Sequence, residues 1–273
     1  MKGTVHYEVK DGVAILTVDN PPVNPLSDGV RAGLVDNIKK AEDDSDIIGV
    51  VLTGAGRSFI AGADISEFGK SPDGPGLDEA FKSLEFCSKP VVAAINGSAL
   101  GGGLETALVC NYRIAGPAAF VGLPEVNLGL LPGAGGTQRL PRLVGPAEAL
   151  KMMLTGMHVN AKKALDMGII DEISDDLIND SVSFIKKVSS ESKDHPKVRD
   201  LNEKVLEARG SENILLEAKA MAAKSRKGQF APGQIIKCVE AAINLDDFDE
   251  GMKKESDYFI ECLVNPQREA MIH

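Results

Sequence analysis

The sequence predicts an α/β protein with a parallel sheet in its core and a helical carboxy-terminal region. Two continuous apolar runs of strand length, Ile47–Thr53 and Val91–Ile95, are separated by segments of helical periodicity. Such runs indicate strands buried on both faces, as in parallel sheets that are covered by helices. Beyond about Gly145 helical patterns dominate. That change of character predicts a helical region packed over the core or over another subunit.

Size and charge limit the functions that the chain can have. Its 273 residues (28.9 kDa) suffice for one large domain, or for one domain with an appended helical lobe. The net charge of −10 and the pI of about 5.0 argue against general binding to nucleic acids. No run of apolar residues approaches the roughly 20 that a membrane span needs. We therefore expect a globular protein without a nucleic-acid partner or a membrane span.

The cysteines and histidines show no spacing typical of metal ligands. The four cysteines, Cys87, Cys110, Cys238 and Cys262, include no C-x-x-C pair, and the four histidines form no H-x-x-x-H motif. These patterns predict neither a metal site nor disulfide bonds. They favour an intracellular location, where thiols stay reduced.

The amino-terminal elements follow from alternation and capping. The runs Thr4–Val9 and Val13–Val18 alternate apolar and polar residues around an Asp-Gly pair, which predicts a hairpin. Two prolines end the second run. Ser27 can then cap a helix that continues to about Asp43, because apolar residues recur on one of its faces.

The middle of the chain alternates glycine-rich loops with short elements. Asp64-Ile65-Ser66-Glu67 resembles a capping box, and a helix is predicted at about Leu77–Cys87 after a loop rich in proline and glycine. A short strand is predicted at Ala119–Val121. A second glycine-rich loop occupies Leu130 to Gly136.

The carboxy-terminal part is predicted to contain seven helices and one strand, Ile169–Ile173. The predicted helices are Ala147–Leu154, Ala161–Met167, Leu177–Val188, Val198–Ala208, Ile214–Lys224, Pro232–Leu245 and Glu250–Leu263.

The segment Leu100–Glu105 is the strongest candidate for chemistry, because three successive glycines directly precede a carboxylate. Glycine lets a ligand approach the main chain closely, and the first amides of a helix are unpaired. Backbone donors beside Glu105 could stabilise an oxyanion and move a proton. The alternative is purely structural: the glycines allow tight packing, and Glu105 is a favourable first-turn acid.

Two further segments could complete such a site. Glu125 lies in apolar surroundings within Gly122–Val126, although an isolated acid of this kind is more often an exposed cap residue. The turn Ala61–Ile65 could leave the Ala63 N–H free as a second donor. Other site classes lack their motifs, since the sequence contains no P-loop, no dinucleotide fingerprint after the first strand and no G-x-S-x-G.

Taken together, four segments resemble the enoyl-CoA hydratase/isomerase (crotonase) family in their order and spacing. They are Ala61–Ile65, Ala99–Glu105, Gly122–Glu125 and Leu131–Leu140. The resemblance covers Val5 to Ser174 strongly and the helical remainder loosely. In detail the chain is most similar to the amino-terminal part of multifunctional β-oxidation enzymes.

This resemblance implies a ββα spiral core in residues 1–195 and a helical region in residues 196–273. It also implies an oxyanion hole formed by the N–H groups of Ala63 and Gly102. Glu105 would activate a water for attack at C3 of a trans-2-enoyl-CoA, and Glu125 would deliver the proton to C2. One acid at the position of Glu125 suffices for a Δ3-Δ2 double-bond shift, so isomerase activity is implied as well.

The resemblance further implies substrate contacts at the adenine-binding turn and in the acyl pocket. The residues implied are Ala61, Asp64, Ile65, Gly101, Pro132 and Gly133. No cofactor is expected, because coenzyme A is part of the substrate. The implied assemblies are a homotrimer, a hexamer, or packing against a dehydrogenase part of the same chain. The implied location is the peroxisome for a eukaryotic multifunctional enzyme, and the cytoplasm otherwise.

Other functions of the same scaffold stay open from the sequence. They include thioester hydrolysis, dienoyl-CoA isomerisation, and a non-catalytic or RNA-binding role.

Overall fold

The computed structural model describes residues 3–64, 67, 74–192 and 194–272. Its helices and strands confirm the predicted α/β class. The strands are β1 Thr4–Lys10, β2 Val13–Asp19, β3 Gly49–Gly54, β4 Ser58–Ile60, β5 Val91–Ile95, β6 Ser98–Leu100, β7 Tyr112–Ala115, β8 Phe120–Gly122, β9 His158–Asn160 and β10 Glu172–Ile173.

The helices include two short 3-10 segments, Glu125–Leu128 and Val198–Asp200. None of the described helices is both long and apolar enough to cross a membrane. The α-helices are α1 Asp28–Asp43, α2 Leu77–Glu85, α3 Gly102–Val109, α4 Gly136–Val144, α5 Pro146–Thr155, α6 Ala161–Met167, α7 Leu177–Glu191, α8 Glu203–Glu207, α9 Glu212–Ser225, α10 Ala231–Asn244, α11 Phe248–Leu263 and α12 Pro266–Ile272.

The larger sheet has six strands in the order β1-β2-β3-β5-β7-β10. The predicted hairpin is confirmed, because β1 and β2 pair antiparallel from Thr4 opposite Asp19 to Lys10 opposite Val13. All other neighbours in this sheet are parallel. A second sheet has the order β4-β6-β8-β9. The two apolar runs of the sequence thus form central parallel strands, β3 and β5.

Residue contacts divide the chain into two compact units. The first contains Met1–Val121 and Asn160–Lys197, and the second contains Gly122–Val159 and Val198–His273. One boundary lies close to the predicted limit at residue 195. The segment Gly122–Val159, however, groups with the helical residues and not with the sheet. The units therefore cut across the predicted domains 1–195 and 196–273, which remain a prediction.

One hydrophobic cluster of the first unit lies between the larger sheet and α7. Apolar side chains of β2, β3, β5 and β7 meet Val182 and Ile185 of α7. Gly49 in β3 allows this contact, because a Cβ atom there would lie 2.5 Å from a methyl group of Ile185. Every residue of β3 and β5 is buried, which explains the continuous apolar pattern of both strands.

The second unit is built from helices, with α10 in contact with α4, α5, α9 and α11. A buried carboxylate of α11 caps the start of α4. Glu255 accepts hydrogen bonds from the N–H groups of Gly135 at 2.6 Å and Thr137 at 3.1 Å. A carboxylate at this helix end satisfies unpaired amides and complements the helix dipole.

Candidate active site

The turn that carries Ala63 is fixed by an isolated parallel bridge between Leu26 and Ala63. The N–H of Leu26 donates to the Gly62 carbonyl at 3.0 Å. In such a bridge the hydrogen bonds to Leu26 are made by the peptide groups on either side of Ala63. The N–H of Ala63 itself therefore points away from Leu26. Among the described residues, no acceptor pairs with this N–H. Ala63 therefore presents one amide donor, and its contact with a thioester oxygen stays a prediction.

A second donor arises where β6 turns into α3. Gly101, the residue before the helix, has φ 53° and ψ −125°, a conformation accessible in practice only to glycine. This turn lets α3 begin at Gly102 immediately after the strand. The first amides of a helix have no partner within it, so the Gly102 N–H is directed outward from the helix end.

The two donors lie side by side. A Cβ atom placed on Gly102 would lie 3.1 Å from the amide nitrogen of Ala63 and 3.4 Å from the carbonyl carbon of Gly62. One on Gly103 would lie 1.8 Å from the carbonyl oxygen of Ile60. The glycines therefore serve close packing, which supports the structural interpretation of this motif, and the functional interpretation stays a prediction.

Glu105 sits one turn into α3, on the face that carries Gly102. All eight residues of the helix are buried, and Glu105 is only 4% exposed. Its N–H donates to the Gly101 carbonyl at 3.0 Å. Helical side chains tilt toward the amino-terminal end, so we expect the carboxylate on the side of α3 where Gly102 begins the helix. A carboxylate at this depth needs polar contacts or a function.

The second acid lies in the other compact unit. Glu125 opens the 3-10 segment Glu125–Leu128, which we term the Glu125 turn. Gly129 ends the turn with φ 68°, and the N–H of Leu130 donates to the Glu125 carbonyl at 3.1 Å. Glu125 is half-buried, and its Oε2 atom is closed to solvent.

Of the other predicted site residues, two have described hydrogen bonds, one is not described, and one lies in the second unit. Ala61 is held by a hydrogen bond from its N–H to the Val23 carbonyl at 3.1 Å, and the Asp64 carbonyl accepts from the Glu67 N–H at 3.0 Å. Ile65 lies outside the described residues. Pro132 is buried in the second unit. Their contacts with a substrate remain predictions.

Gly133 contacts an aromatic ring that the sequence did not indicate. A Cβ atom on Gly133 would lie 2.5 Å from the ring of Phe259 in α11. Leu26 is a second unexpected neighbour, since its side chain would lie 3.2 Å from a Cβ atom on Gly102. Both contacts join residues that are far apart along the chain, and no local pattern marks them.

The structure thus places Ala63 close to Gly102 in the first unit, and Glu105 lies in the helix that Gly102 begins. Glu125 and Gly133 lie in the second unit, and the meeting of the two groups stays a prediction. Among the described residues, no cluster of three or more histidine, cysteine, aspartate or glutamate side chains is arranged to hold a metal ion.

The cysteines are free, and three of the four are buried. Burial raises the pKa of Cys110 and that of Cys262 to about 12, and that of Cys87 to about 11. Thiols with such pKa values carry little thiolate and are poor nucleophiles. The acids are therefore the better candidates for chemistry.

Comparison with known proteins shows the family of this chain. The family model described as enoyl-CoA hydratase/isomerase matches residues 8–233. A peroxisomal bifunctional enzyme of Danio rerio is 39% identical over 267 residues, which cover 97% of this chain and 37% of that protein. The fatty acid oxidation complex subunit alpha of Shewanella sp. (strain MR-4) is 38% identical over 96% of this chain and 39% of its own length.

The fold is similar to that of solved structures as well. An enoyl-CoA hydratase/isomerase from Pseudoalteromonas atlantica T6c aligns with a TM-score of 0.72 and 26% identity, covering 98% of this chain and 95% of the other. This likeness confirms the predicted fold class. The chain spans only 37% to 39% of the length of the two relatives above.

Proposed function

Because the chain belongs to the enoyl-CoA hydratase/isomerase family, we propose that it is an enoyl-CoA hydratase of fatty-acid β-oxidation. It adds water across the C2=C3 bond of a trans-2-enoyl-CoA and gives the 3-hydroxyacyl-CoA. A Δ3-Δ2 enoyl-CoA isomerase activity accompanies this reaction at the same site. The substrate supplies the coenzyme A, and the reaction needs no further cofactor.

The observation that carries this proposal is the adjacency of Ala63 and Gly102. Two peptide segments held this close can direct both N–H groups at one thioester oxygen. Addition at C3 moves electrons through C2 onto that oxygen and creates an enolate. Donors already fixed by a bridge and a helix start stabilise this charge without reorganisation, and losing one such donor typically costs about 10²–10³ in rate.

The two acids divide the proton transfers. Glu105 accepts a proton from water as the water oxygen bonds to C3. The enolate then collapses, the thioester carbonyl re-forms, and C2 takes a proton from Glu125. The burial of Glu105 and of the Oε2 atom of Glu125 supports this assignment, because carboxyl groups shielded from bulk water are typical of acid–base catalysis.

Isomerisation needs only one of these acids. Glu125 would remove a proton from C2 of a Δ3-enoyl-CoA and return it at C4, while the same amides stabilise the dienolate. No water is consumed in this reaction, and Glu105 has no obligatory part in it. Two observations support this second activity: an acid is present at position 125, and the donors Ala63 and Gly102 are adjacent within the first unit.

The proposal also covers the assembly and the location of the protein. We propose that the chain works either as a homotrimer or hexamer, or packed against a dehydrogenase part of a longer enzyme. We propose an intracellular location, peroxisomal in a eukaryote and cytoplasmic in a bacterium. The names of several relatives include the words peroxisomal or glyoxysomal, which supports the first of these locations.

Hydration of crotonyl-CoA, followed by loss of the enoyl-thioester absorbance, tests the activity. We expect turnover by the natural chain, and about 10²–10⁴-fold less with Glu105→Gln or Glu125→Gln. Glu148→Gln is the control, because Glu148 is exposed and pairs with exposed Lys151. Full activity in either catalytic variant would refute the assignment of the acids. Release of free coenzyme A without hydration would indicate a thioester hydrolase.

A further inference from the structure

Arg226 follows the last residue of α9 and makes three hydrogen bonds within the second unit. Its Nη2 donates to the Asn127 side-chain oxygen at 2.7 Å and to the Thr155 carbonyl at 2.7 Å. Its Nε donates to the Leu154 carbonyl at 3.1 Å. One half-buried guanidinium therefore connects the end of α5 to the Glu125 turn.

The α5 end of this contact is a favourable place for a cation. Leu154 and Thr155 are the last residues of α5, and their carbonyls have no partner within the helix. A positive charge there also complements the helix dipole. The planar guanidinium can serve these carbonyls and a further acceptor at once, which an ammonium group does less well. The charge thus anchors Arg226 to a rigid element.

The other end of the contact lies two residues from Glu125. Asn127 is part of the Glu125 turn, and its N–H donates to the Pro124 carbonyl at 2.9 Å. Its side-chain amide nitrogen would lie 2.7 Å from a Cβ atom on Gly156, directly after α5. A 3-10 segment of four residues has few hydrogen bonds of its own. The direction of Glu125 therefore depends on contacts from outside the turn.

The residues that follow Arg226 are themselves fixed to α12. Gln267 donates from Nε2 to the Gly228 carbonyl at 2.7 Å and accepts from the Phe230 N–H at 2.7 Å. Helix α12 also contacts the Glu125 turn, since a Cβ atom on Gly129 would lie 3.2 Å from the Cα of Arg268. Arg226 thus lies between α9 and a segment that is bound to α12. This fixed position allows its side chain to hold Asn127 in place.

We propose that Arg226 is a positioning residue for Glu125. By tying Asn127 to the end of α5, it fixes the Glu125 turn and hence the direction from which the acid delivers its proton to C2. The inference rests on the proposed function, in which Glu125 is that acid. Arg226 is 99 positions from Asn127 in the sequence, so this residue could not be assigned to the site from local spacing.

The test compares Arg226→Ala and Arg226→Lys with the matched variant Arg209→Ala. Arg209 also donates to a carbonyl near a helix end, that of Ile243 in α10 at 3.0 Å, and pairs with Asp246. Crotonyl-CoA hydration would be measured as kcat and KM separately. Thermal unfolding and hydrogen–deuterium exchange of residues 125–128 would be followed in the same variants.

We expect Arg226→Ala to lower kcat about 10- to 100-fold with KM changed less than about 3-fold, since a displacement near 1 Å can cost that much. Exchange at residues 125–128 should rise. Arg226→Lys should recover part of kcat, and Arg226→Ala should cost nothing further in a Glu125→Gln background. Arg209→Ala should keep kcat, whatever its effect on stability.

The outcomes separate this inference from the proposed function. If the natural chain hydrates crotonyl-CoA and Arg226→Ala keeps its kcat, the inference fails alone. Equal losses of kcat in the Arg226 and Arg209 variants would also overturn it, because they would indicate a general loss of stability. If the natural chain does not hydrate crotonyl-CoA, the proposed function fails, and the catalytic part of this inference fails with it.

Discussion

The two acid-bearing segments are held in different ways. Helix α3 carries Glu105, is buried over its whole length, and lies so close to Ile60 that a glycine is required at position 103. The Glu125 turn is a single 3-10 segment with an exposed residue, Asn127, and is held by side-chain hydrogen bonds. One acid is thus fixed by main-chain packing, and the other by polar contacts that single substitutions can remove.

The largest effects are expected on catalytic rates, when each acid is replaced and both reactions are measured. Glu125→Gln should lower both crotonyl-CoA hydration and Δ3-Δ2 isomerisation by about 10²–10⁴, because both reactions need that acid. Glu105→Gln should lower hydration by a similar factor and isomerisation by less than about 10-fold. Parallel assays on both substrates measure this. Equal losses of both activities in the Glu105 variant would contradict the division of roles.

The next effect concerns stability. Gly103→Ala should lower the free energy of unfolding by about 3 kcal/mol or more, since the new Cβ would collide with the Ile60 carbonyl and backbone must shift. Gly129→Ala, which forces a positive φ at the end of the Glu125 turn, should cost about 1–2 kcal/mol. Chemical denaturation compares the two. A larger loss in the Gly129 variant would contradict the contrast between the segments.

A third effect tests hydrogen bonding in the second unit. Glu255→Gln should cost about 1–3 kcal/mol, because the amide cannot replace the carboxylate that accepts from Gly135 and Thr137 at the start of α4. Denaturation measures the loss. Asp257→Asn is a suitable control, because Asp257 lies on the same helix and is exposed. An unchanged stability in the Glu255 variant would indicate that packing alone holds this unit.

The smallest expected effect is a pH dependence of stability that comes from His195. It serves as a control for pH profiles of kcat, which are meant to report on Glu105 and Glu125. Burial lowers the pKa of His195, whose ring nitrogen meets the Tyr112 hydroxyl at 3.2 Å. The unfolded state therefore binds a proton more readily, and stability should fall slightly as the pH drops below about 6.5. His195→Gln should flatten this dependence without changing the pH profile of kcat. A changed kcat profile would mean that stability distorts the activity measurements.

Local patterns in the sequence predicted part of this structure and missed the rest for physical reasons. The hairpin and strand β5 follow from alternation and continuous apolar runs, and Glu105 was correctly placed in the first turn of a helix. Helix α4 was missed, because its start is rich in glycine and Pro141 lies inside it. The predicted helix Val198–Ala208 was wrong as one element, since it divides into a 3-10 segment and α8.

The site shows the same limit. The donors and acids were named from short motifs and a family resemblance, which depend on local spacing. The bridge from Leu26 to Ala63 and the bond from Arg226 to Asn127 join residues far apart in the chain. No spacing rule marks such partners, because the fold alone brings them together. The residues that hold a site in place are therefore harder to predict from sequence than the residues that carry its chemistry.

The central claim is that Ala63, Gly102, Glu105 and Glu125 act on one thioester. A crystal structure of the protein with a bound, unreactive acyl-CoA thioester tests it most directly. We expect the thioester oxygen to lie about 2.7–3.1 Å from both amide nitrogens, with the two carboxylates beside C2 and C3. A thioester oxygen away from either amide, or a carboxylate of Glu125 remote from C2, would contradict the account.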